Sequence, residues 1–190
     1  QIEVHFAVLP ALARNKHPDP VFVFPGGPGQ SAIDLAGHWE RLLARLNNRR
    51  DIVLVDQRGT GRSNALRCEF DDEAMLGTGE DDVQVQTRRC LAEVSGHAQP
   101  SLYTTSEAVR DLELVRRTLG YDRIDLYGVS YGTRVAQHYL RRHGDRVRAV
   151  VLDGVVPPQR ILGPDMALDA EDALRHALTR CAGDTACHAA

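Results

Sequence analysis

Four short apolar runs punctuate the chain: VFVF (21–24), DIVLVD (51–56), IDLYGV (124–129) and VRAVVL (147–152). Continuous β-branched and aromatic runs of this kind suit strands buried on both faces of a parallel sheet. Stretches with helical periodicity lie between them. Over 31–46, Leu35, Trp39, Leu42, Leu43 and Leu46 share one side. After Thr104, Ala108, Leu112, Val115 and Leu119 recur at steps of four, three and four, and Gly120 stops the helix. Thr104 and Glu107 have capping-box spacing. A further helix is expected over 131–143, closed by Gly144. Alternating strands and helices predict an α/β fold: a mostly parallel sheet with helices on both faces. Residues 2–9 alternate polar and apolar near their start and read as an edge strand. Residues 64–100 form a polar excursion, helical near 82–94, with an acidic run at Glu80, Asp81 and Asp82. The sheet pattern stops after Pro158. The expected organisation is a core over 1–162 and the start of a helical module over 163–190, with a helix at 166–181.

One strand end carries chemistry. GVSYG (128–132) follows the third apolar run and opens the next helix. A serine on so sharp a turn needs small neighbours, which Gly128 and Gly132 provide by lacking a Cβ. The turn lifts the Ser130 hydroxyl clear of the sheet, and the Tyr131 N–H at the helix start can stabilise a developing oxyanion. This is the G-x-S-x-G nucleophile elbow in its strand–turn–helix context. In the competing reading Ser130 merely caps the helix. A second oxyanion donor is expected from the loop after an earlier strand, and PGGPG (25–29) follows VFVF. Gly27 is the choice for that donor and Gly26 the fallback; Pro28 has no N–H.

The same loop supports a rival. Gly27, Gly29 and Ala32 satisfy G-x-G-x-x-A between a strand and a helix, and Asp56 ends the next strand where a ribose-binding acid would lie. Against a dinucleotide site, Pro28 stiffens the place where backbone donors should wrap a pyrophosphate, and GVSYG is left without a role. No cofactor and no metal are expected.

The 190 residues carry a net charge of −3, which gives no electrostatic case for nucleic acid or an anionic membrane. No apolar run reaches membrane-spanning length. The four cysteines, Cys68, Cys90, Cys181 and Cys187, allow three pairings, and sequence does not choose among them. The two local pairs, Cys68 with Cys90 and Cys181 with Cys187, are the expectation and favour an oxidising compartment. The alternatives are reduced thiols or a metal site of Cys181, Cys187 and His188, which lacks paired C-x-x-C spacing.

Three motifs together, PGGPGQS (25–31), DQRGTGRS (56–63) and GVSYGT (128–133), resemble the α/β-hydrolase superfamily and, within it, the tripeptidyl/prolyl aminopeptidase serine peptidases, over about residues 2–160. Prolyl aminopeptidases carry His-Gly-Gly-Pro-Gly. This chain has Pro25 in the histidine position and looks more like the secreted tripeptidyl-type branch. The resemblance implies Ser130 as nucleophile, Gly27 and Tyr131 as oxyanion donors, and Asp56 and Arg58 pinning the loop beneath the site. An ordinary surface ion pair is the alternative for these last two. It also implies a helical cap after VRAVVL, a peptide substrate held by its free amino terminus, and a secreted or periplasmic location. Asp165, Asp169, Glu171 and Asp172 fall in the expected cap, where a solvated helix face is the better reading.

A serine nucleophile needs a histidine base and an orienting acid, in the chain order Ser, acid, His for this fold. Of the histidines after Ser130, His138 and His143 ride a helix away from the elbow, and His176 and His188 lie in the expected cap. None is assigned as base. Asp153, beside the elbow, is expected to anchor the turn at Gly154. The expectation is therefore a longer hydrolase, whose missing carboxyl-terminal part supplies acid and base and without which these residues are inactive. Its activity would be an aminopeptidase acting through an acyl-enzyme on Ser130. The alternatives are an esterase or lipase of the same fold, or a non-catalytic binding module. An aspartate-nucleophile dehalogenase or epoxide hydrolase is disfavoured because residue 130 is serine.

Overall fold

The structure, a computed structural model, describes residues 1–68 and 80–188. Part of the polar excursion, and the side chains of the acidic run and of His188, therefore lie outside the described residues. The chain divides into two compact units, Gln1–Val155 and Val156–Ala190.

The first unit is built on five strands: β1 (Phe6–Leu9), β2 (Val21–Phe24), β3 (Ile52–Val55), β4 (Ile124–Val129) and β5 (Val147–Asp153). Their order is β1-β3-β2-β4-β5. β1 runs antiparallel to β3, with Phe6 opposite Val55, and the other pairs are parallel. The edge strand is shorter than the sequence suggests. At His5 the ladder is half made: its carbonyl accepts from the Asp56 N–H at 3.0 Å, but its own N–H is taken by the Ser63 hydroxyl at 2.9 Å.

Strand alternation divides the core. Phe22, Phe24, Val53, Val55, Ile124 and Leu126 pack on one face with Val109, Leu112, Val115, Val135, Ala136 and Tyr139, from α4 (Thr105–Thr118) and α5 (Tyr131–His143). Val21, Val23, Ile52 and Leu54 face the other way and meet Ala32, Trp39 and Leu43. β2 and β3 are buried on both faces and carry no polar alternation, whereas β5, expected to be as buried, is largely half-exposed with Arg148 and Val151 outward; each fully buried Val, Leu, Ile or Phe contributes about 1.5–3 kcal/mol.

The helix expected over 31–46 is broken into α1 (Ala36–Leu42) and α2 (Ala44–Asn47). The Ser31 hydroxyl donates to Asp56 and accepts from the Asp34 N–H, holding 31–34 in a turn. Trp39 and Leu43 are buried, but Leu42 and Leu46 face solvent, because the break at Leu43 ends the periodicity. The excursion contributes α3 (Glu80–Ser95), tied to the preceding loop by the Cys68–Cys90 disulfide, with Cα atoms 5.5 Å apart.

On the covered face, Glu113 receives Arg116 Nε and Nη2 at 2.8 and 2.7 Å and the Tyr139 hydroxyl at 2.7 Å. Arg116 holds its carboxyl down at about 2 against the opposing effect of burial, with Tyr139 adding to the shift. A depressed carboxyl stabilises the fold fully above its ordinary value of 4.5, and that contribution is lost as pH falls toward 2. The midpoint of urea unfolding is therefore expected to drop across this window. Glu113→Gln should be less stable at neutral pH and flatter in acid. An equally steep drop in the variant removes Glu113 as the cause.

The second unit consists of α6 (Pro164–Gly183) and α7 (Thr185–His188), joined by the disulfide Cys181–Cys187, whose Cα atoms are 5.2 Å apart. Both local cysteine pairs are thus formed, and Cys181 and Cys187 are not available to a metal. Asp169 pairs with Arg160, and Glu171 with Arg175, on an exposed helix surface. Among the described residues, no helix is long and apolar enough to cross a membrane.

Candidate active site

β4 ends at Val129 and α5 begins at Tyr131, so the whole reversal is made at Ser130. It has φ 53° and ψ −121°, in the left-handed half of backbone space that L residues avoid. Such a conformation costs about 1–3 kcal/mol and persists only where the surroundings enforce it. Two close approaches do so. A Cβ on Gly132 would sit 1.9 Å from the Phe24 carbonyl oxygen, and one on Gly128 would sit 2.5 Å from the Gly132 oxygen. The Ser130 N–H is held by the Asp153 carbonyl at 2.8 Å, and its own carbonyl accepts from the Thr133 N–H at 2.9 Å and hydroxyl at 2.6 Å. Its side chain is exposed and makes no capping bond to α5. The hydroxyl is left to face outward.

The loop after β2 lies directly beside it. A Cβ on Gly26 would be 3.1 Å from Ser130 Cβ and 3.5 Å from its Oγ. The Gly26 N–H donates to Gln30 Oε1 at 3.1 Å and so braces the loop. Gly27, the next residue, is exposed and has φ 107°.

Asp56 and Arg58 are not an ion pair with each other, which corrects that reading. Asp56 is buried and accepts from the Ser31 hydroxyl at 2.7 Å, the Ile33 N–H at 3.2 Å and the Arg62 N–H at 3.1 Å. It clasps the loop after β2 to the loop after β3. A carboxylate so occupied does not receive a ribose, so the dinucleotide reading loses its acid. Arg58 instead makes a two-pronged contact with Asp111 of α4, both bonds 2.7 Å, and donates to the Leu102 carbonyl. Contact with Asp111 raises its pKa further. Asp153 ends β5 as an exposed residue whose carboxylate accepts from Tyr127 at 3.2 Å.

His138 and His143 are carried away from this hydroxyl by α5. His138 lies eight residues into α5, about 12 Å along its axis at 1.5 Å per residue. Its Nε2 is 3.4 Å from the Ser106 hydroxyl, and burial lowers its pKa. His143 stacks obliquely on Tyr139. Neither histidine of α5 hydrogen-bonds Ser130.

Next to the elbow the structure opens a cavity of about 200 Å³ that sequence reading did not anticipate. Pro28, Gly29 and Tyr131 form one part of its wall, and Thr60, Leu66, Tyr103 and Ala108 complete much of the rest. The wall is braced: the Tyr131 and Thr105 hydroxyls are 2.7 Å apart, and the Tyr103 hydroxyl accepts from Asn64. These residues come from four separate segments, and no local pattern connects them.

Comparison with known proteins identifies the fold family. The alpha/beta hydrolase fold family matches residues 19–183. The serine protease Hip1 of Mycobacterium tuberculosis is 33% identical over 150 residues, covering 70% of this chain and 29% of that protein. Tripeptidyl aminopeptidase of Streptomyces lividans is 31% identical over 170 residues, covering 77% and 30%. Carboxylesterase B of M. tuberculosis is 35% identical over 172 residues, covering 82% and 33%. The chain thus spans about a third of the length of these relatives. The crystal structure of proline iminopeptidase from Mycobacterium smegmatis superposes with a TM-score of 0.52 at 20% identity, covering 78% of this chain and 39% of that one, and speaks for the fold alone. With its sheet order, its strand–serine–helix turn and a match over most of its length, the chain belongs to the α/β-hydrolase fold family.

Proposed function

We propose that the full-length protein is a serine hydrolase that releases short peptides or single residues from free amino termini. Ser130 Oγ attacks the scissile carbonyl carbon and passes its proton to a histidine base. The new oxyanion sits between the N–H groups of Tyr131 and Gly27, where fixed donors stabilise charge as it develops. The carbon–nitrogen bond then breaks, the leaving amine takes the proton, and water hydrolyses the acyl-enzyme. The observation that carries this reading is the exposed Ser130 hydroxyl, held on a strained turn with Gly26 alongside and without a capping bond to α5. The base and its acid are assigned to sequence beyond these 190 residues. The separation of His138 and His143 from the elbow supports this, as does the greater length of the relatives. The second unit is read as the start of a cap. The two disulfides favour a secreted or periplasmic setting.

A relative named as a carboxylesterase makes simple ester hydrolysis the second reading, since the same groups serve any acyl transfer. Peptide anilides with free and acetylated amino termini, run beside simple esters on the full-length protein, separate the two. The free-terminus peptides are expected to turn over at least about 100-fold faster than their acetylated forms, the worth of a buried charge contact of about 3 kcal/mol. Equal cleavage of both overturns the aminopeptidase, and turnover of esters alone selects the esterase.

A further inference from the structure

The Tyr131 N–H, proposed above as an oxyanion donor, shares one peptide group with the Ser130 carbonyl. A trans peptide is planar, so its C=O and N–H point in opposite directions. Whatever fixes the Ser130 oxygen therefore fixes where the Tyr131 N–H is aimed. As the first residue of α5, Tyr131 has no partner for that N–H within the helix.

That oxygen is held twice by one residue. Thr133 gives it an N–H at 2.9 Å and a hydroxyl at 2.6 Å. The N–H bond is the tight first turn of a helix, which any residue but proline supplies. The hydroxyl bond belongs to the side chain. A threonine bonding back to a carbonyl three residues earlier is common in helices. Here, however, the carbonyl is that of Ser130, whose φ of 53° and ψ of −121° are not helical and whose strain favours relaxation. Rotation about that ψ would swing the Tyr131 N–H, and Thr133 is placed to resist it. Its side chain is fully buried, away from competing water, and β-branching restricts its rotation. Its Cα is wedged against the end of β4, where a Cβ on Gly128 would come within 2.9 Å of it. A hydrogen bond to the carbonyl also polarises the peptide and strengthens its N–H as a donor.

We propose that the Thr133 hydroxyl is a positioning group for the oxyanion site, acting through the Ser130 carbonyl to aim the Tyr131 N–H at the oxygen that gains charge. The role rests on the serine hydrolase reading above and holds for peptide and ester substrates alike. The test uses full-length protein and whichever free-amino-terminus peptide anilide or simple ester the wild type turns over. A fluorophosphonate label on Ser130 reports the nucleophile separately. Thr133→Val removes the hydroxyl and leaves the N–H bond in place. It should lower kcat and kcat/KM together by about tenfold with KM within about twofold, the pattern of a contact that matters only in the transition state. The outright loss of an oxyanion donor costs more, about 10²–10³-fold. Thr133→Ser keeps the hydroxyl and gives up a buried methyl, so its thermal midpoint should fall while its kcat stays within about threefold of wild type. Thr133→Ala differs from Thr133→Ser by the hydroxyl alone, and this pair carries the comparison, with the same gap expected, should Thr133→Val fail to fold. A merely structural role predicts activity that follows thermal stability. Wild-type kcat in a folded Thr133→Val protein, equal losses in Thr133→Ser and Thr133→Ala, or a loss confined to KM overturns the positioning role and leaves the hydrolase reading standing. Absence of both label and turnover in wild type removes that reading and this role with it.

Discussion

Ser130→Ala in the full-length protein is expected to lower kcat/KM by about 10⁴- to 10⁶-fold and to abolish fluorophosphonate labelling. A loss this large is expected because, in the proposed mechanism, the Ser130 oxygen is the protein atom that bonds the substrate carbon; what would survive is binding and the proposed oxyanion donors. The fold should hardly notice. Among the described residues Ser130 Oγ makes no capping bond, and alanine meets the same backbone strain as serine. Thermal midpoints of variant and parent should agree within about 2 °C, the shift expected from a surface change of about 0.5 kcal/mol. Glycine relieves the positive φ, so Ser130→Gly should be inactive and slightly more stable. Residual hydrolysis at the parental rate in either variant ends the proposal that Ser130 is the nucleophile.

The second large effect is on stability. Gly132→Ala places a Cβ 1.9 Å from the Phe24 oxygen, 2.6 Å from the Phe24 carbonyl carbon and 2.7 Å from the Pro25 oxygen. All three are backbone atoms at the end of a fully buried strand, so no side chain can swing aside. Either α5 must move off β2 or the turn must open. A cost of about 4 kcal/mol or more is expected, among the largest that single substitutions produce. At this size that corresponds to about 10 °C in Tm. Gly37→Ala is the control: its new Cβ meets only the Arg41 guanidinium at 3.9 Å, within helix α1, and should be neutral or mildly stabilising. A Gly132→Ala protein as stable as its parent means that the helix and the strand end are not in contact.

Much of this arrangement was legible because it is local. VFVF and IDLYGV announce strands buried on two faces, and the glycines about Ser130 announce a reversal too tight for any Cβ. The Thr104 cap was only half legible. Its hydroxyl accepts from the Glu107 N–H at 3.3 Å, but the Glu107 carboxylate turns to Arg110. What sequence hid are partnerships made by topology. Arg58 finds Asp111, 53 residues away, and Asp56 finds Ser31. Near the strand starts, Arg50 and Arg148 each contact both Asp19 and Asp125, a cluster that no spacing foretells. The cavity wall was hidden for the same reason.

The Ser130 amide rests on a carbonyl of β5, which among the described residues pairs with β4. The proposed nucleophile thus takes part of its seat from a rung of the neighbouring strand. Anything that strips or tilts that rung, a distant substitution in β5 included, should retune the serine's reactivity while leaving every group around it chemically unchanged.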